Sequence, residues 1–472
     1  MNKSDLQCDI AIVGGGITGL CAAYRIHELL PEHSIRVFER NSIAGGRIFS
    51  APLSTHPEQV DLGAGRYNVR QHTRLHKLIE DLGIRCVPFD YDIAPFQNGL
   101  FDHTKAQLRE ICNGLRLFFE SCAPEEQERW SFWEGANRHL GSIQSNFIIT
   151  ASGYDSLRNP KLPFKHGIDI LFNHPETGSL ARANSGEWMT PLEGFQSVPN
   201  RLASKLSRSC SIDYHHTLRA IQPLPDTPTR KLRLHFDTLA GNKTVDTRHV
   251  IHASTVHDFL QIDGCNLSKA ITENIVTVPL VKGYVEYESP WWKSTNIAGQ
   301  CFTNPSPFRK IYFPRDAPYL LIYADGENAL NLKALITNHS NTLAKFEDTI
   351  RHAVPFDVFG GRLPQPIKQE WRFWERGICF WEGGLNLLPG DTWSYAPNIH
   401  VCSDLFTDHV GWIEGGIVSA EAAAQKVVRL LQYETNMRIG STEILANLTN
   451  SVHSLQSSLT VSLPRELVGP TA

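Results

Sequence analysis

The first forty residues alternate between short apolar runs and a glycine-rich turn. Residues 10–13 are apolar, glycines follow at 14, 15, 16 and 19, and residues 20–30 carry helix-forming side chains up to Pro31. A second apolar run at 35–38 ends before Glu39. An apolar run, a glycine turn, a helix and a second apolar run in this order predict a Rossmann-type strand–helix–strand unit.

The pattern changes further along the chain. Between residues 104 and 140 apolar positions recur at helical spacing, as in LREICNGLRLFFESC, which predicts an inserted helical lobe. Between residues 270 and 330 the runs VPLVKGYVEY, KIYFP and YLLIYADG predict an antiparallel sheet. After residue 431 the apolar density falls, and residues 434–472 are predicted to form a weakly packed tail.

Composition restricts the class of protein. With 472 residues, of which 41% are hydrophobic and 20% charged, the chain is long enough for two or more domains. A net charge of -4 argues against a nucleic acid or an anionic membrane as partner. The 10 cysteines show no CxxC pair and no metal-ligand spacing, which predicts reduced thiols and no metal. The sequence shows no signal segment and no run of about 18 apolar residues, which predicts a cytoplasmic protein without a membrane span.

The glycines carry the first chemical signal. Gly14, Gly16 and Gly19 occupy GxGxxG positions, where they allow a tight turn, close approach of a pyrophosphate and close packing of helix on strand. Glu39 lies 20 residues after Gly19, the spacing of an acid that accepts hydrogen bonds from a ribose. The motif alone would also fit a glycine turn without a ligand, but strand, helix and acid together favour dinucleotide binding.

Two segments resemble the FAD-dependent amine oxidase superfamily. Residues 14–47 match its N-terminal signature of GxGxxG, an acid, five further residues and GGR. Residues 398–428 resemble its closing segment, in which an acid, here Asp404, meets the ribityl chain of the flavin. The resemblance implies an α/β fold with a Rossmann-type FAD-binding domain, an antiparallel-sheet substrate domain and an inserted helical lobe.

The resemblance also implies domain boundaries and cofactor contacts. The FAD-binding domain is expected to comprise residues 7–70, 186–265 and 373–433, the substrate-binding domain residues 266–372, and the helical lobe with further substrate-domain segments residues 71–185. The residues expected to contact a noncovalently bound FAD are Gly14, Gly16, Thr18, Gly19, Glu39, Arg40, Gly45, Gly46, Arg47, Gly63, Ala64, Gly65, Arg66, Asp404, Gly411, Trp412 and Ile413.

Lys282 and three aromatic residues are the candidates for the reaction centre. The step from Lys282 to Trp292 resembles a family segment whose lysine holds a water near flavin N5, although a lysine on the exposed face of an edge strand would give the same pattern. Trp412 resembles an aromatic residue beside the flavin, and Phe380 or Trp381 would approach the same place, unless these rings are simply core.

Cys379 lies near the position at which some relatives link FAD covalently. The residues around it do not reproduce the Cys-Tyr pattern of those relatives. A noncovalent FAD is therefore expected.

Arg66 decides the expected substrate. The segment LGAGR resembles LGPMR of L-amino acid oxidases, in which the arginine binds the substrate α-carboxylate. The alternative is a structural salt bridge to an internal acid. The resemblance thus predicts an FAD-dependent L-amino acid oxidase, with hydride transfer from Cα to flavin N5 and reoxidation by dioxygen, giving a 2-oxo acid, ammonia and hydrogen peroxide.

Other members of the superfamily remain open as alternatives. They are a monoamine or polyamine oxidase, a desaturase or protoporphyrinogen-type oxidase, and a flavoprotein without turnover. The expected partners are an L-amino acid and dioxygen, with no nucleic acid and no membrane, and a homodimer is expected from the family alone.

Overall fold

A computed structural model describes most of the chain. The described residues are 5–95, 105–173, 187–224, 231–265, 272–295, 297–337, 339–353, 363–382 and 390–459. The chain forms two compact units, residues 1–423 and residues 424–472.

The described residues form helices and strands with the following bounds. The helices are α1 Ile17–Leu29, α2 Thr73–Asp81, α3 Lys105–Ser121, α4 Pro124–Arg129, α5 Phe132–Ser152, α6 Phe164–Asn173, α7 Ser197–Leu206, α8 Val256–Phe259, α9 Gly326–Ile336, α10 His339–Ala353 and α11 Ile413–Leu459. The strands are β1 Leu6–Val13, β2 Ile35–Phe38, β3 Ser50–Pro52, β4 Gln59–Asp61, β5 Tyr67–Asn68, β6 Cys86–Pro88, β7 Asp92–Pro95, β8 Trp188–Pro191, β9 Ser211–Asp213, β10 Thr217–Pro223, β11 Leu232–Thr238, β12 Gly241–His252, β13 Ile275–Glu286, β14 Gln300–Thr303, β15 Lys310–Phe313, β16 Tyr319–Asp325, β17 Lys368–Trp381, β18 Trp393–Ala396 and β19 Ile399–Val401.

The predicted Rossmann unit lies at the centre of an eight-stranded sheet. β1 pairs in parallel with β2 and with the end of β12, and β2 pairs in parallel with β9. β10 and β11 extend the sheet as an antiparallel ribbon, and β19 adds a parallel strand from the far end of the first unit. Parallel strands with a short glycine turn before α1 place the carboxyl ends of β1 and β2 together, where dinucleotides bind in this type of sheet.

A second sheet has six strands in the order β17-β13-β16-β15-β14-β7. Its pairs are antiparallel except for β7, which joins β14 in parallel. The prediction of an antiparallel sheet between residues 270 and 330 is therefore confirmed. β13 is a central strand, because it lies between β16 and β17.

The helical lobe, α3 to α6, packs on one face of the six-stranded sheet. Their shared core contains Leu115, Phe147, Phe164 and, from the sheet, Tyr284 and Tyr323. A second core lies on the opposite face against α9 and α10. Of the candidate site residues on this sheet, Lys282 and Phe380 belong to the face that meets the lobe or the N-terminal loops.

The structure bears on two of the predicted segments. The predicted domain boundary between residues 372 and 373 falls inside β17, whose residues pair with β13 as far as Trp381. In the segment predicted to be a weakly packed tail, residues 434–459 are helical, and residues 460–472 lie outside the described residues. Serine- and threonine-rich composition lowers local helix propensity but does not stop a helix that has already formed upstream.

Candidate active site

The first glycine turn has no room for side chains. Gly14 adopts φ +109°, and a Cβ there would lie 2.9 Å from the carbonyl oxygen of Ala253. A Cβ on Gly19 would overlap the carbonyl oxygen of Gly14, so α1 packs against the turn only without that atom. These contacts explain two of the three motif glycines by sterics alone.

The third motif glycine borders an open cradle. Gly45 donates its N–H to the carbonyl of Gly15 at 2.9 Å, which brings the second glycine pair beside the first turn. A Cβ on Gly16 would have Gly46 Cα as its nearest neighbour, at 3.8 Å. Gly16 caps α1 without a side-chain hydrogen bond, and the first turn of α1 has no acidic residue. An anion such as a pyrophosphate fits this helix terminus.

The start of α11 meets the start of α1. A Cβ on Gly416 would lie 2.5 Å from Thr18 Oγ1, so the two helices approach closely. Gly411, at φ +80°, turns the chain into α11 two residues before Ile413. Two helix N-termini with positive partial charge thus converge, and the predicted cofactor contacts Thr18, Gly19 and Ile413 lie on them.

Glu39 ends β2 next to the glycine turn and is 4% exposed. Its Oε2 accepts the N–H of Gly15 at 2.7 Å, and its Oε1 accepts the backbone and side-chain N–H groups of Asn41 at 2.8 and 2.7 Å. A carboxylate offers about four acceptor positions, so acceptor capacity is left for a ribose hydroxyl. Arg40 instead forms an exposed ion pair with Asp258 at 3.3 Å.

Arg47 and Asp404 form one ion pair. Arg47 Nη2 donates to Asp404 Oδ1 at 2.6 Å, and Nη1 donates to the carbonyl of Gly377 at 3.0 Å. Asp404 also accepts the N–H of Gly411 at 2.9 Å. The charge of Asp404 raises the pKa of Arg47. Two residues that the sequence assigned to separate cofactor contacts therefore hold the N-terminal loop and the start of α11 together.

Lys282 lies beneath the loop that contains Gly63, Ala64 and Gly65. Its Nζ donates to the carbonyl of Gly63 at 2.8 Å, and a Cβ on Gly65 would lie 2.9 Å from the same nitrogen. Lys282 is 6% exposed and belongs to the central strand β13. The alternative of an exposed lysine on an edge strand is therefore wrong.

Arg66 leaves the same loop and is half-buried. Its Nη2 donates to the hydroxyl of Tyr154 at 2.9 Å, and its Cζ lies 5.4 Å from the ring centroid of Phe89. A tyrosine hydroxyl from the lobe thus fixes one corner of the guanidinium.

Trp412 belongs to an aromatic group. Its ring centroid lies 4.7 Å from that of His72 and 5.3 Å from that of Trp188. His72 is 2% exposed, and burial, with His409 nearby, lowers its pKa to about 3. A neutral His72 between two indoles makes this wall of the site uncharged at neutral pH.

Phe380 and Trp381 point to opposite faces of β17. Phe380 packs in the core shared by the lobe and the six-stranded sheet, where Trp412 also makes contacts. Trp381 packs in the core of the eight-stranded sheet and donates its Nε1–H to the carbonyl of Leu405 at 3.1 Å. Adjacent strand residues alternate between faces, so the structure brings Phe380, but not Trp381, to the core that Trp412 contacts.

Cys379 is 7% exposed, and all ten cysteines are free thiols. Burial raises the pKa of the Cys379 thiol to about 11. The sulfur is therefore protonated at neutral pH and a poor nucleophile.

The sequence analysis did not identify Tyr154 or Gly416. Tyr154 lies 88 positions from its partner Arg66, and no local pattern marks that pair. The two glycines in IEGG, just after the start of α11, were the available signal for a close helix contact at Gly416.

The residues that the structure describes include neither a membrane-spanning helix nor a candidate metal cluster. Within them, every helix is too short or too polar to cross a membrane. The same residues contain no group of three or more His, Cys, Asp or Glu side chains arranged to hold a metal ion.

Known proteins match parts of the chain by sequence. Residues 12–82 match the family described as NAD(P)-binding Rossmann-like domain. The thiol-specific monooxygenase of Saccharomyces cerevisiae is 27% identical over 174 residues, which cover 35% of this chain and 38% of that protein. The flavin-containing amine oxidase B of Sus scrofa is 21% identical over 332 residues, 62% of this chain and 60% of that protein. The chain thus spans less than two thirds of the length of these relatives.

Solved structures match over most of the chain. Putrescine oxidase bound to putrescine superimposes with a TM-score of 0.68 at 15% identity, covering 90% of this chain and 99% of that chain. Cyclohexylamine oxidase from Brevibacterium oxydans gives 0.67 at 16% identity with the same coverage. A putative protoporphyrinogen oxidase from Exiguobacterium gives 0.63 at 17% identity. These matches show that the chain shares the fold of putrescine oxidase and cyclohexylamine oxidase, as the motifs led us to expect.

Proposed function

We propose that this chain is a flavin-dependent oxidoreductase of the amine oxidase type whose substrate is an L-amino acid. The observation that carries the proposal is the loop at residues 62–66, which places Arg66 three residues from the carbonyl that Lys282 holds. A guanidinium offers a fork that matches a carboxylate, and the lysine beside it is buried in the six-stranded sheet. An oxidase of simple amines has no use for such a fork.

The described residues fit FAD. The cradle of Gly16 and Gly46 beside the first turn of α1 would take the pyrophosphate, Glu39 the adenosine ribose, and the region of Asp404 and the start of α11 the ribityl chain. When bound, FAD supplies the two-electron redox chemistry that couples oxidation of an amine carbon to reduction of dioxygen. The buried, protonated Cys379 supports a noncovalent flavin.

The side chains of the chain itself bind and orient. Arg66 holds the α-carboxylate and so determines which face of Cα is presented. Trp412, with Phe380 in the same core, supplies an apolar wall from which water is excluded. Lys282 holds a water at the loop of Gly63. The overall reaction converts an L-amino acid, dioxygen and water into a 2-oxo acid, ammonia and hydrogen peroxide.

The test compares substrates that differ only in the carboxylate. Purified protein is assayed for peroxide with the standard L-amino acids, their decarboxylated amines and their D-enantiomers. We expect turnover with at least one L-amino acid and none with its amine or its D-enantiomer. Preference for the amine would replace the proposal with a monoamine or polyamine oxidase, and absence of peroxide with every substrate would favour a large apolar substrate or a flavoprotein without turnover.

Variants of Arg66 locate the carboxylate contact. Arg66→Ala leaves a desolvated carboxylate unpaired, so kcat/KM for the amino acid should fall by about 30- to several-thousand-fold, equivalent to about 2–5 kcal/mol. Arg66→Lys should recover only part of the loss, because a point charge lacks the fork. The control is Arg70→Ala, since Arg70 is 74% exposed and pairs with Glu187 at the surface. Equal losses for Arg66→Ala and Arg70→Ala would contradict the proposed contact.

Cofactor linkage, assembly and location complete the proposal. Acid precipitation should release FAD into the supernatant, and flavin retained in the pellet would indicate a covalent bond to Cys379. A homodimer and a cytoplasmic location are part of the proposal on the basis of the family resemblance and the sequence. Light scattering of the purified protein tests the first, and fractionation of the source cells tests the second.

A further inference from the structure

Tyr154 lies where the helical lobe meets the six-stranded sheet. It follows the end of α5, where Gly153 adopts φ +70° and a Cβ would lie 2.7 Å from Lys310 Cγ. Tyr154 is 2% exposed, and its hydroxyl accepts the Nη2–H of Arg66 at 2.9 Å. Tyr154 therefore connects the buried core with the loop that carries Arg66.

The ring of Tyr154 is clamped by the sheet. Lys310 Nζ lies 3.2 Å from its ring centroid, and the ring of Tyr323 meets it edge-on at 5.7 Å. Lys310 and Tyr323 are directly opposite each other on β15 and β16. A cation over one ring face and an aromatic edge beside it leave a single position for the ring.

The backbone of Tyr154 is held by the buried carboxylate that follows it. Asp155 accepts from Arg309 Nε at 2.7 Å and from Asn328 Nδ2 at 2.7 Å, and its N–H donates to Asp325 Oδ1 at 2.7 Å. Asp155 and Arg309 are 6% and 1% exposed. Separating buried charges that are paired and hydrogen-bonded is costly, so Asp155 anchors this segment to the sheet.

We propose that Tyr154 is a positioning residue that makes the site selective for carboxylates, an inference that rests on the proposed function. Arginine side chains have many rotamers, and a fork that binds in one orientation must be ordered when substrate arrives. The hydroxyl of Tyr154 fixes one corner of the guanidinium before substrate binds. The pairing edge is thereby oriented in advance, which favours substrates with a carboxylate and leaves simple amines unaffected.

Tyr154→Phe tests this role, because it keeps the ring and the contact with Lys310 and removes only the oxygen. We expect kcat/KM for the L-amino acid to fall at least about tenfold, mainly through KM, with little change in kcat. The affinity for benzoate, a carboxylate that cannot react, should fall by a similar factor in titrations of the flavin spectrum. Tyr284→Phe is the control, since Tyr284 is a fully buried tyrosine of the same sheet whose hydroxyl donates to the carbonyl of Pro52.

A double-mutant cycle shows whether Tyr154 acts through Arg66. In the Arg66→Ala background, Tyr154→Phe should cause no further loss of kcat/KM for the L-amino acid or of benzoate affinity. If Tyr154→Phe matches Tyr284→Phe, or if its effect persists without Arg66, the positioning role is wrong while the proposed function stands. If wild-type protein prefers the amine to the amino acid, the proposed function and this inference are both overturned.

Discussion

The two sheets differ in the kind of constraint that fixes their candidate site residues. In the eight-stranded sheet the constraints are steric, since a Cβ on Gly19 would overlap the carbonyl oxygen of Gly14. In the six-stranded sheet they are polar, because Lys282, Arg309 and Asp325 are buried and must find partners from distant segments. A steric demand leaves a residue type in the sequence at a fixed spacing. A polar demand can be met from anywhere in the chain and leaves no such spacing.

The largest effect is expected where the constraint is steric. Gly19→Ala places a methyl group against backbone that cannot move aside, so we expect a loss of about 3 kcal/mol or more in the free energy of unfolding and purification without flavin. Gly114→Ala is the control, because Gly114 lies within α3 and a Cβ there would be 3.4 Å from His139. Chemical denaturation and the flavin-to-protein ratio measure both outcomes. If the Gly19→Ala protein is stable and retains flavin, the proposed steric constraint at Gly19 is wrong.

Replacing Glu39, at the end of β2 in the eight-stranded sheet, should have a smaller effect than Gly19→Ala. Glu39→Ala removes the acceptor for Gly15 N–H and for the ribose, so FAD affinity should weaken by about 1.5–3 kcal/mol, as for a hydrogen bond to a charged group. Glu28→Ala removes a surface ion pair with Arg25 on α1 and should leave FAD affinity unchanged. Titration of the apoprotein with FAD gives both values, and an unaltered affinity of Glu39→Ala would separate Glu39 from the cofactor.

Lys282 is the buried lysine of the six-stranded sheet, and its replacement should have a smaller effect again. Lys282→Met removes the proposed water site and the bond to the carbonyl of Gly63, so dioxygen consumption by the pre-reduced protein should slow about tenfold, which is about 1.4 kcal/mol. Lys368→Met is matched to it, because Lys368 lies on the same sheet and donates to the carbonyl of Pro52. Stopped-flow traces of the two variants that coincide with wild type would place Lys282 outside the reaction centre.

His72 is expected to make the free energy of unfolding depend on pH. Its folded pKa of about 3 lies below the usual 6.5, so the unfolded chain binds more protons below pH 6.5 and stability is lost as pH falls toward 3. The slope is about 1.4 kcal/mol per pH unit for one group. His72→Asn keeps an acceptor for the N–H of Asn68 and should reduce the slope between pH 6 and 4 by about one proton. Denaturation midpoints at several pH values check this, and an unchanged slope would mean that His72 is not the titrating group.

The sequence predicted features that repeat a local rule. The strand–turn–helix around Gly14, the antiparallel strands from residue 275 and the helical lobe each have the period or the turn residue that their structure requires. The pairing of Arg47 with Asp404 and of Arg66 with Tyr154 joins positions hundreds or tens of residues apart, so periodicity carries no information on either.

Other differences come from the phase and the length of elements. Phe380 and Trp381 are adjacent in one strand, and their separation between two cores depends on which face of β17 each occupies. The composition of the segment after residue 434 gave no sustained helical period, and α11 nevertheless continues to Leu459. The extent of a helix depends on the turns that precede it as well as on its own residues.

The close approach of Gly416 to Thr18 has a consequence for how the protein is made. The paired N-termini of α1 and α11 are complete only when residues about 400 positions apart have both left the ribosome. At about 5–20 residues per second, the first helix waits roughly 20–80 s for the second. During that time the glycine turn is exposed on a partly assembled sheet. A binding site formed by both helix N-termini would therefore assemble only after Gly416 has been synthesised.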